Sequence, residues 1–199
     1  MRRRRGYRRQ MARPPRIQFA DAIYHVWTNG NRDCAIYSDV DDREIHLGFI
    51  ADGAREDGWL CLAYCLMTTH YHLLVQTPQA NLDRAMHRLN SGYAHWFNKR
   101  HGCSGHLFKR RYGAELVTTE SYLLHVARYI VLNPVRARIC RDPADWPWSS
   151  YRAHIGAGRP TAFLDADWIG RVLGGDVAWS RRRFRQFVED ELSNGARHH

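Results

Sequence analysis

The stretch MTTHYHLLVQ, residues 67–76, sets His70 and His72 one residue apart in a run that otherwise reads as a buried strand. Side chains alternate across a strand, so His70, His72 and Leu74 share one face while Tyr71, Leu73 and Val75 share the other. Two imidazoles side by side can both bind one divalent cation, since neutral imidazole is a common metal ligand. Two half-exposed histidines hydrogen-bonded to their neighbours would give the same letters. A second pair lies in HVARYIVLNPVRA, residues 125–137, where Tyr129 and Asn133 stand one helical turn apart on one face. A phenol and an amide on one stripe sit oddly beside Val126, Ile130 and Leu132. If this helix crosses the histidine face, Tyr129 comes near the cation and the Asn133 amide oxygen offers a third ligand, which Mg²⁺ or Mn²⁺ accepts. The structural alternative is an aromatic packed on the sheet and an Asn capping the helix before Pro134.

Several elements must position these groups. Ala22 to Thr28 alternates as a first strand, and NGNRD reads as a turn. Ser38 or Asp39 is placed to cap a helix over roughly residues 40–56, with Ile45, Phe49 and Ile50 inward and Gly58 ending it. WLCLAYCLMT and HYHLLVQT follow as two strands, and Pro78 stops the second. Asn81 is expected to cap a helix running to about residue 100, with Leu82, Met86, Leu89, Tyr93, Trp96 and Phe97 at helical spacing and Gly102 closing it. Tyr112 to Val117 reads as a fourth strand. Thr119 and Glu120 start a third helix, broken at Asn133-Pro134. A Trp/Pro segment, DWPWSSYRAHIG, a Gly/Pro linker and the helix SRRRFRQFVEDEL complete the chain.

The order β-α-β-β-α-β predicts an α+β fold: a ferredoxin-like, split βαβ antiparallel sheet with helices on one face, plus the tyrosine helix and a small helical C-terminal tail. The first and third strands would be central, and the histidine face would be the open one. We expect a basic arm over residues 1–16, which holds eight Arg, a main domain over 17–155 and a basic helical tail over 156–199. An over-extended start before Met11 would account for the first ten residues equally well.

The net charge of +10 and a pI near 9.8 point to a polyanionic partner, most often nucleic acid. No run of about 18 apolar residues is present, so neither a membrane span nor, at the basic N-terminus, a secretory signal is expected. Five cysteines at irregular spacing fit a reducing cytoplasm rather than a disulfide framework. Cys61 and Cys65 would share one strand face, but no second pair completes a zinc site.

The segments ARPPRIQFADAIYHVWTNGNR, MTTHYHLLVQ, GHLFKRRYGAELVTTESYLLHVARYIVLNPVRA and DWPWSSYRAHIG, in that order, resemble the single-tyrosine transposases of the HUH endonuclease superfamily, specifically the REP-associated tyrosine transposases. The resemblance covers most of residues 11–155. It implies that His70 and His72 are the metal-binding pair, that Tyr129 is the nucleophile, and that Asn133 stands where such enzymes place a further metal-binding polar group. It also implies cleavage of single-stranded DNA beside hairpins through a 5′-phosphotyrosine, with Mg²⁺ or Mn²⁺, in a cytoplasmic, nucleoid-associated bacterial protein acting as a monomer or homodimer. Thr68-Thr69 departs from the Pro-Asn or Pro-Asp pair that relatives commonly carry before the first histidine.

A free phenol has a pKa of about 10 and is a poor nucleophile at neutral pH, so nearby cations must assist it. Lys109, Arg110 and Arg111 are candidates for that role or for holding flanking phosphates, and Arg136 is a candidate DNA-binding residue. Trp146, Trp148 and Tyr151 beside Arg152 are a candidate stacking platform for single-stranded DNA, or else a plug closing the domain edge. Glu115 is a candidate base or outer ligand, unplaced without the sheet register. Phe184, Phe187, Val188 and Leu192 give the last helix an apolar face that docks on the core or on another chain. The competing readings are a non-catalytic nucleic-acid-binding protein on a ferredoxin-like fold and a zinc hydrolase using the histidines.

Overall fold

The computed structural model describes residues 18–195; the expected arm over residues 1–16 lies outside them. Four strands form one antiparallel sheet: β1 Ala22–Asn29, β2 Leu60–Leu66, β3 His70–Thr77 and β4 Gly113–Val117, in the order β2-β3-β1-β4. β1 and β3 are therefore central, as the split βαβ topology requires. α1 (Val40–Asp57) and α2 (Leu82–His101) cover one face. That layer meets the alternating side chains Tyr24 and Val26 of β1 and Tyr71, Leu73 and Val75 of β3.

The histidine face is not fully open. α3 (Glu120–Arg136) lies across β2 and β3, so the sheet is covered on both sides. A second core gathers Ala63, Cys65 and Leu74 from the sheet, Leu123, Ala127 and Val131 from α3, and residues from the tail. The chain after α3, here called the tail, holds α4 (Tyr151–His154), α5 (Trp168–Leu173) and α6 (Val177–Gly195). Phe184 and Val188 of α6 are fully buried here, so the apolar stripe read in the sequence docks on this chain's own core.

Local chemistry sets the element ends. Asp39 caps α1 by accepting from the Asp42 amide, and Thr119 caps α3 by accepting from the Tyr122 amide. Gly58 and Gly102 end α1 and α2 in the left-handed conformation, with φ of 72° and 61°. Asn81 occupies the cap position of α2, but its side chain donates to the Asp57 carbonyl and ties α2 to the end of α1.

Three expectations need correction. α1 buries Asp42, His46, Ile50, Gly53 and Asp57, whereas Ile45 is exposed. The buried stripe keeps helical spacing, but its polar members are held by specific partners. Asp42 meets Arg100 and His101, His46 meets the Tyr37 hydroxyl at 2.6 Å, and Asp57 meets Arg84. Cys61 and Cys65 do not share a face, because a bulge between Cys61 and Ala63 turns Cys61 toward α1 and α2 and leaves Cys65 under α3. Finally, Asn133-Pro134 does not break α3, which runs on to Arg136. Pro134 cannot donate to the Ile130 carbonyl. The Asn133 side-chain amide covers the gap, donating to the Tyr129 carbonyl at 2.9 Å and approaching that of Ile130 at 3.5 Å.

The outer edge of β2 is taken up by the tail. Leu66 N donates to Trp148 O, Ser150 N to Tyr64 O and Asp165 N to Cys61 O. Leu164 and Ser149 form isolated bridges to the same strand.

Candidate active site

Strand alternation and register assemble one surface from three strands. β1 contributes His25, Trp27 and Asn29, β3 contributes His70 and His72, and β4 contributes Glu115, which lies opposite His25. α3 closes the far side with Tyr122, His125, Val126 and Tyr129. Together with Arg110 these residues line a pocket of about 650 Å³. Gly113 is opposite Trp27 in the ladder, and a Cβ there would stand 2.1 Å from the indole. The missing side chain is what lets the Trp27 ring form the pocket floor.

The two imidazoles and the phenol line the same pocket, because α3 crosses the histidine face. The His70 and His72 ring centroids are 5.2 Å apart with planes at 88°. The Tyr129 ring centroid is 5.6 Å from that of His72 and 5.8 Å from that of His25. Tyr129 is 40% exposed and lines the pocket, so its side chain is accessible to a ligand entering there. The Arg136 guanidinium lies 5.0 Å from the Tyr129 ring centroid and sets positive charge beside it.

His25 is the member that strand periodicity alone does not single out. Its Nε2 lies 3.0 Å from Nδ1 of His72, which leaves Nε2 of His72 as the nitrogen available to the pocket. Burial lowers the pKa of His25 to about 4, against the opposing pull of Glu115. Burial also drives His72 well below the usual histidine value, and the neighbouring His25 and His70 add to the shift. His70 is lowered by burial, partly offset by a hydrogen bond with Asn133. All three rings are thus held neutral near pH 7, the form in which imidazole binds metals.

The donor set offers a divalent cation few protein ligands. Among the described residues no cluster of three or more His, Cys, Asp or Glu side chains gathers in metal-binding geometry. A cation would rest on His70 and His72, with Asn133 as the neutral oxygen beside them. Asn133 is 9% exposed and does not line the pocket; its side-chain N–H groups are turned to the Tyr129 and Ile130 carbonyls. Two protein nitrogens and at most one amide oxygen leave positions for substrate oxygens, as a catalytic site needs.

The basic residues divide. Arg110 lines both the main pocket and an adjoining groove of about 430 Å³, where Lys109 and Arg111 also lie. Lys109 reaches Asp33 at 3.6 Å. Glu115, unplaced by sequence, sits on the histidine face and accepts from the Tyr122 hydroxyl at 2.7 Å. Trp146, Trp148 and Arg152 are not brought to the pocket. The Trp146 indole donates to the Leu66 carbonyl, and both indoles stack on Arg43, whose guanidinium carbon is 5.6 Å from each ring. They close the β2 edge of the domain. Arg152 donates to the Ala157 carbonyl within its own loop.

Known proteins share this fold and this family. A Haemophilus influenzae relative that carries the name REP-associated tyrosine transposase is 29% identical over 131 residues, 58% of this chain and 72% of its own. A solved structure of a REP-associated tyrosine transposase bound to a REP hairpin superposes with a TM-score of 0.63 at 17% identity, covering 84% of this chain and 93% of that one. At that identity the likeness is one of fold. The family model described as Transposase IS200 like matches residues 18–133, a span that begins just before β1 and ends at Asn133, taking in both histidines and Tyr129. The chain belongs to the IS200-like transposase family.

Proposed function

We propose that this transposase cuts and rejoins single-stranded DNA beside a hairpin, with Tyr129 as the nucleophile. The observation that carries this reading is the Tyr129 ring 5.6 Å from His72 in a pocket that also holds His70. In the step itself, Tyr129 Oη attacks the scissile phosphorus. The Oη–P bond forms and the P–O3′ bond breaks. The phenol gives up its proton, the departing 3′ oxygen takes one, and the 5′ end of the cut strand stays on the tyrosine as a phosphodiester. Attack by a 3′-hydroxyl on that phosphodiester reverses the exchange and joins strands, so no nucleotide cofactor is required.

Each pocket residue has a part. His70 and His72, with Asn133 as the nearby amide oxygen, would hold a divalent cation such as Mg²⁺ or Mn²⁺. Such a cation supplies charge neutralisation and Lewis-acid polarisation at the phosphate. His25 fixes the tautomer and orientation of His72 through the 3.0 Å contact. Arg136, ion-paired with Glu191, lays its guanidinium over the attacking ring. Arg110, at the junction of pocket and groove, is placed to take a flanking phosphate, with Lys109 and Arg111 continuing the track. Binding to single strands should then lose about 0.7 in log–log salt slope for each phosphate contact removed.

The test is a covalent trap. Labelled hairpin oligonucleotide with a single-stranded foot is incubated with protein and Mn²⁺, then resolved in SDS. A tyrosine-linked adduct is expected and must disappear in Tyr129→Phe. Persistence of the adduct in that variant overturns the assignment of the nucleophile. A free 5′-phosphate product with no adduct would instead mark a metal hydrolase.

A further inference from the structure

Helix α6 carries its charges in the order a helix disfavours. Arg181, Arg182, Arg183 and Arg185 fall in its first half, and Glu189, Asp190 and Glu191 in its second. The macrodipole prefers anions near the N-terminus and cations near the C-terminus, so this order does not serve the helix itself. The acidic half serves the fold. Glu191 bridges Arg128 and Arg136 of α3 at 3.0 Å each, and Phe187 covers the Arg128 guanidinium at 4.0 Å.

The basic half faces another way. Arg181, Arg182 and Arg185 line a pocket of about 290 Å³ with Ile155, Gly156 and Ala178. Gly156 has φ +74°, and a Cβ on it would stand 3.0 Å from a guanidinium nitrogen of Arg181. The bare backbone there lets Arg181 lie flat across the loop that follows α4. Arg185 is paired with Glu189, and Asp176 is occupied in capping the first turn of α6 through the Trp179 amide. Among the described residues no aromatic ring lines this pocket, and Trp179 on the neighbouring turn stacks with Arg183 instead. A single strand is normally gripped by phosphate contacts together with stacking on rings, whereas duplex backbone is gripped by charge alone. Guanidinium forks match phosphate oxygens well.

The position suits a duplex held apart from the reacting strand. α6 touches the tyrosine helix at Phe187 and Glu191, and Arg181 and Arg182 precede those contacts by five to ten residues. That is about 8–15 Å along the helix at 1.5 Å per residue, or roughly two to four base-pair steps. We propose that the arginine pocket between the α4 loop and α6 binds the phosphodiester backbone of the hairpin stem, while the single-stranded foot enters the Tyr129 pocket. The proposal rests on the reading of that pocket as a DNA site.

The test compares two oligonucleotides by fluorescence anisotropy across a salt series: the hairpin with its foot, and the foot alone. In the full-length double variant Arg181→Gln/Arg182→Gln, the hairpin's log–log salt slope is expected to shrink by about 1.8, from two duplex phosphates at about 0.9 each. At 0.1 M salt that corresponds to a loss of affinity of up to about 60-fold. Affinity for the foot alone should hold, and Arg181→Lys/Arg182→Lys should restore the slope. An unchanged hairpin slope overturns the proposal and leaves the patch to another polyanion. Equal losses on both oligonucleotides overturn it in favour of a single-strand site. The adduct assay on the wild-type protein reports separately: a hairpin-specific slope loss without a Tyr129 adduct would remove the nuclease reading and keep the stem contact.

Discussion

Two substitutions at Asn133 separate its support of α3 from its oxygen chemistry. The side-chain amide donates to the Tyr129 carbonyl at 2.9 Å and approaches that of Ile130 at 3.5 Å, and its nearness to the His70 ring opposes the effect of burial there. Pro134 removes the backbone donor that Ile130 would otherwise have had. Asn133→Ala therefore takes away one well-formed hydrogen bond, one marginal one and the His70 contact. At about 1 kcal/mol for a satisfied bond, and up to about 3 for a buried group left bare, the expected loss is about 2–3 kcal/mol. For a domain of this size that lowers Tm by roughly 5–10 °C. Asn133→Asp keeps an oxygen beside His70 but removes both N–H donors. It also sets a carboxylate against the carbonyls at the end of α3, where the dipole disfavours an anion. Without metal, the Asp variant should be no more stable than the Ala variant. Calorimetric or circular-dichroism melts with and without Mn²⁺ read both effects. An Asp variant that melts at the wild-type temperature in the absence of metal would refute the splint argument. Tighter Mn²⁺ binding by the same variant would establish the oxygen as a ligand.

Further expectations follow from packing and burial. Gly113→Ala drives a methyl group to within 2.1 Å of Trp27. It should cost about 1–3 kcal/mol by overpacking and slow adduct formation as the pocket floor shifts, measured by urea midpoints and adduct time courses. Burial lowers His46 to about 3 and His154 to about 4. A histidine with a depressed folded pKa contributes fully above the unfolded value near 6.5 and loses that contribution as pH falls. Each should therefore cost about 2 kcal/mol between pH 7 and pH 5, and His46→Phe should reduce the pH dependence by nearly one proton. A wild-type stability that is flat over that window contradicts this. Phe184→Ala should lose about 3–5 kcal/mol from the fully buried anchor of α6. Glu191→Gln, at a partly exposed ion-pair site, should lose about 1 kcal/mol or less. The reverse ranking in thermal melts would show that charge, not burial, holds α6 on α3.

The sheet was legible because β1 and β3 obey simple alternation, while the bulge in β2 was not. The pairing of His70 with His72, and the one-turn spacing of Tyr129 and Asn133, followed from periodicity alone. What escaped the sequence was polar burial. Hydrophobic pattern pointed α1 inward through Ile45, whereas Asp42, His46 and Asp57 are the buried members, made tolerable by partners some 9 to 59 residues away. His25 was hidden for a related reason. Its importance lies in the β1–β3 register, which sets it within reach of His72 across two strands. The end of α3 was misread because a proline is normally a stop, and the residue that overrides it is the preceding side chain. Trp146 and Trp148 look like a stacking platform by composition, but Arg43 from α1 already fills the space between them.

The tail's occupation of the β2 margin bears on how copies of this protein could associate. A sheet with two bare margins can template filaments, because every added copy presents a fresh margin to the next. Here the backbone of residues 148–165 consumes one margin from within the same molecule. β4 is the other margin and, among the described residues, ladders only with β1. Joining through β4 would use up the remaining margin of both participants, so strand-to-strand growth stops at two.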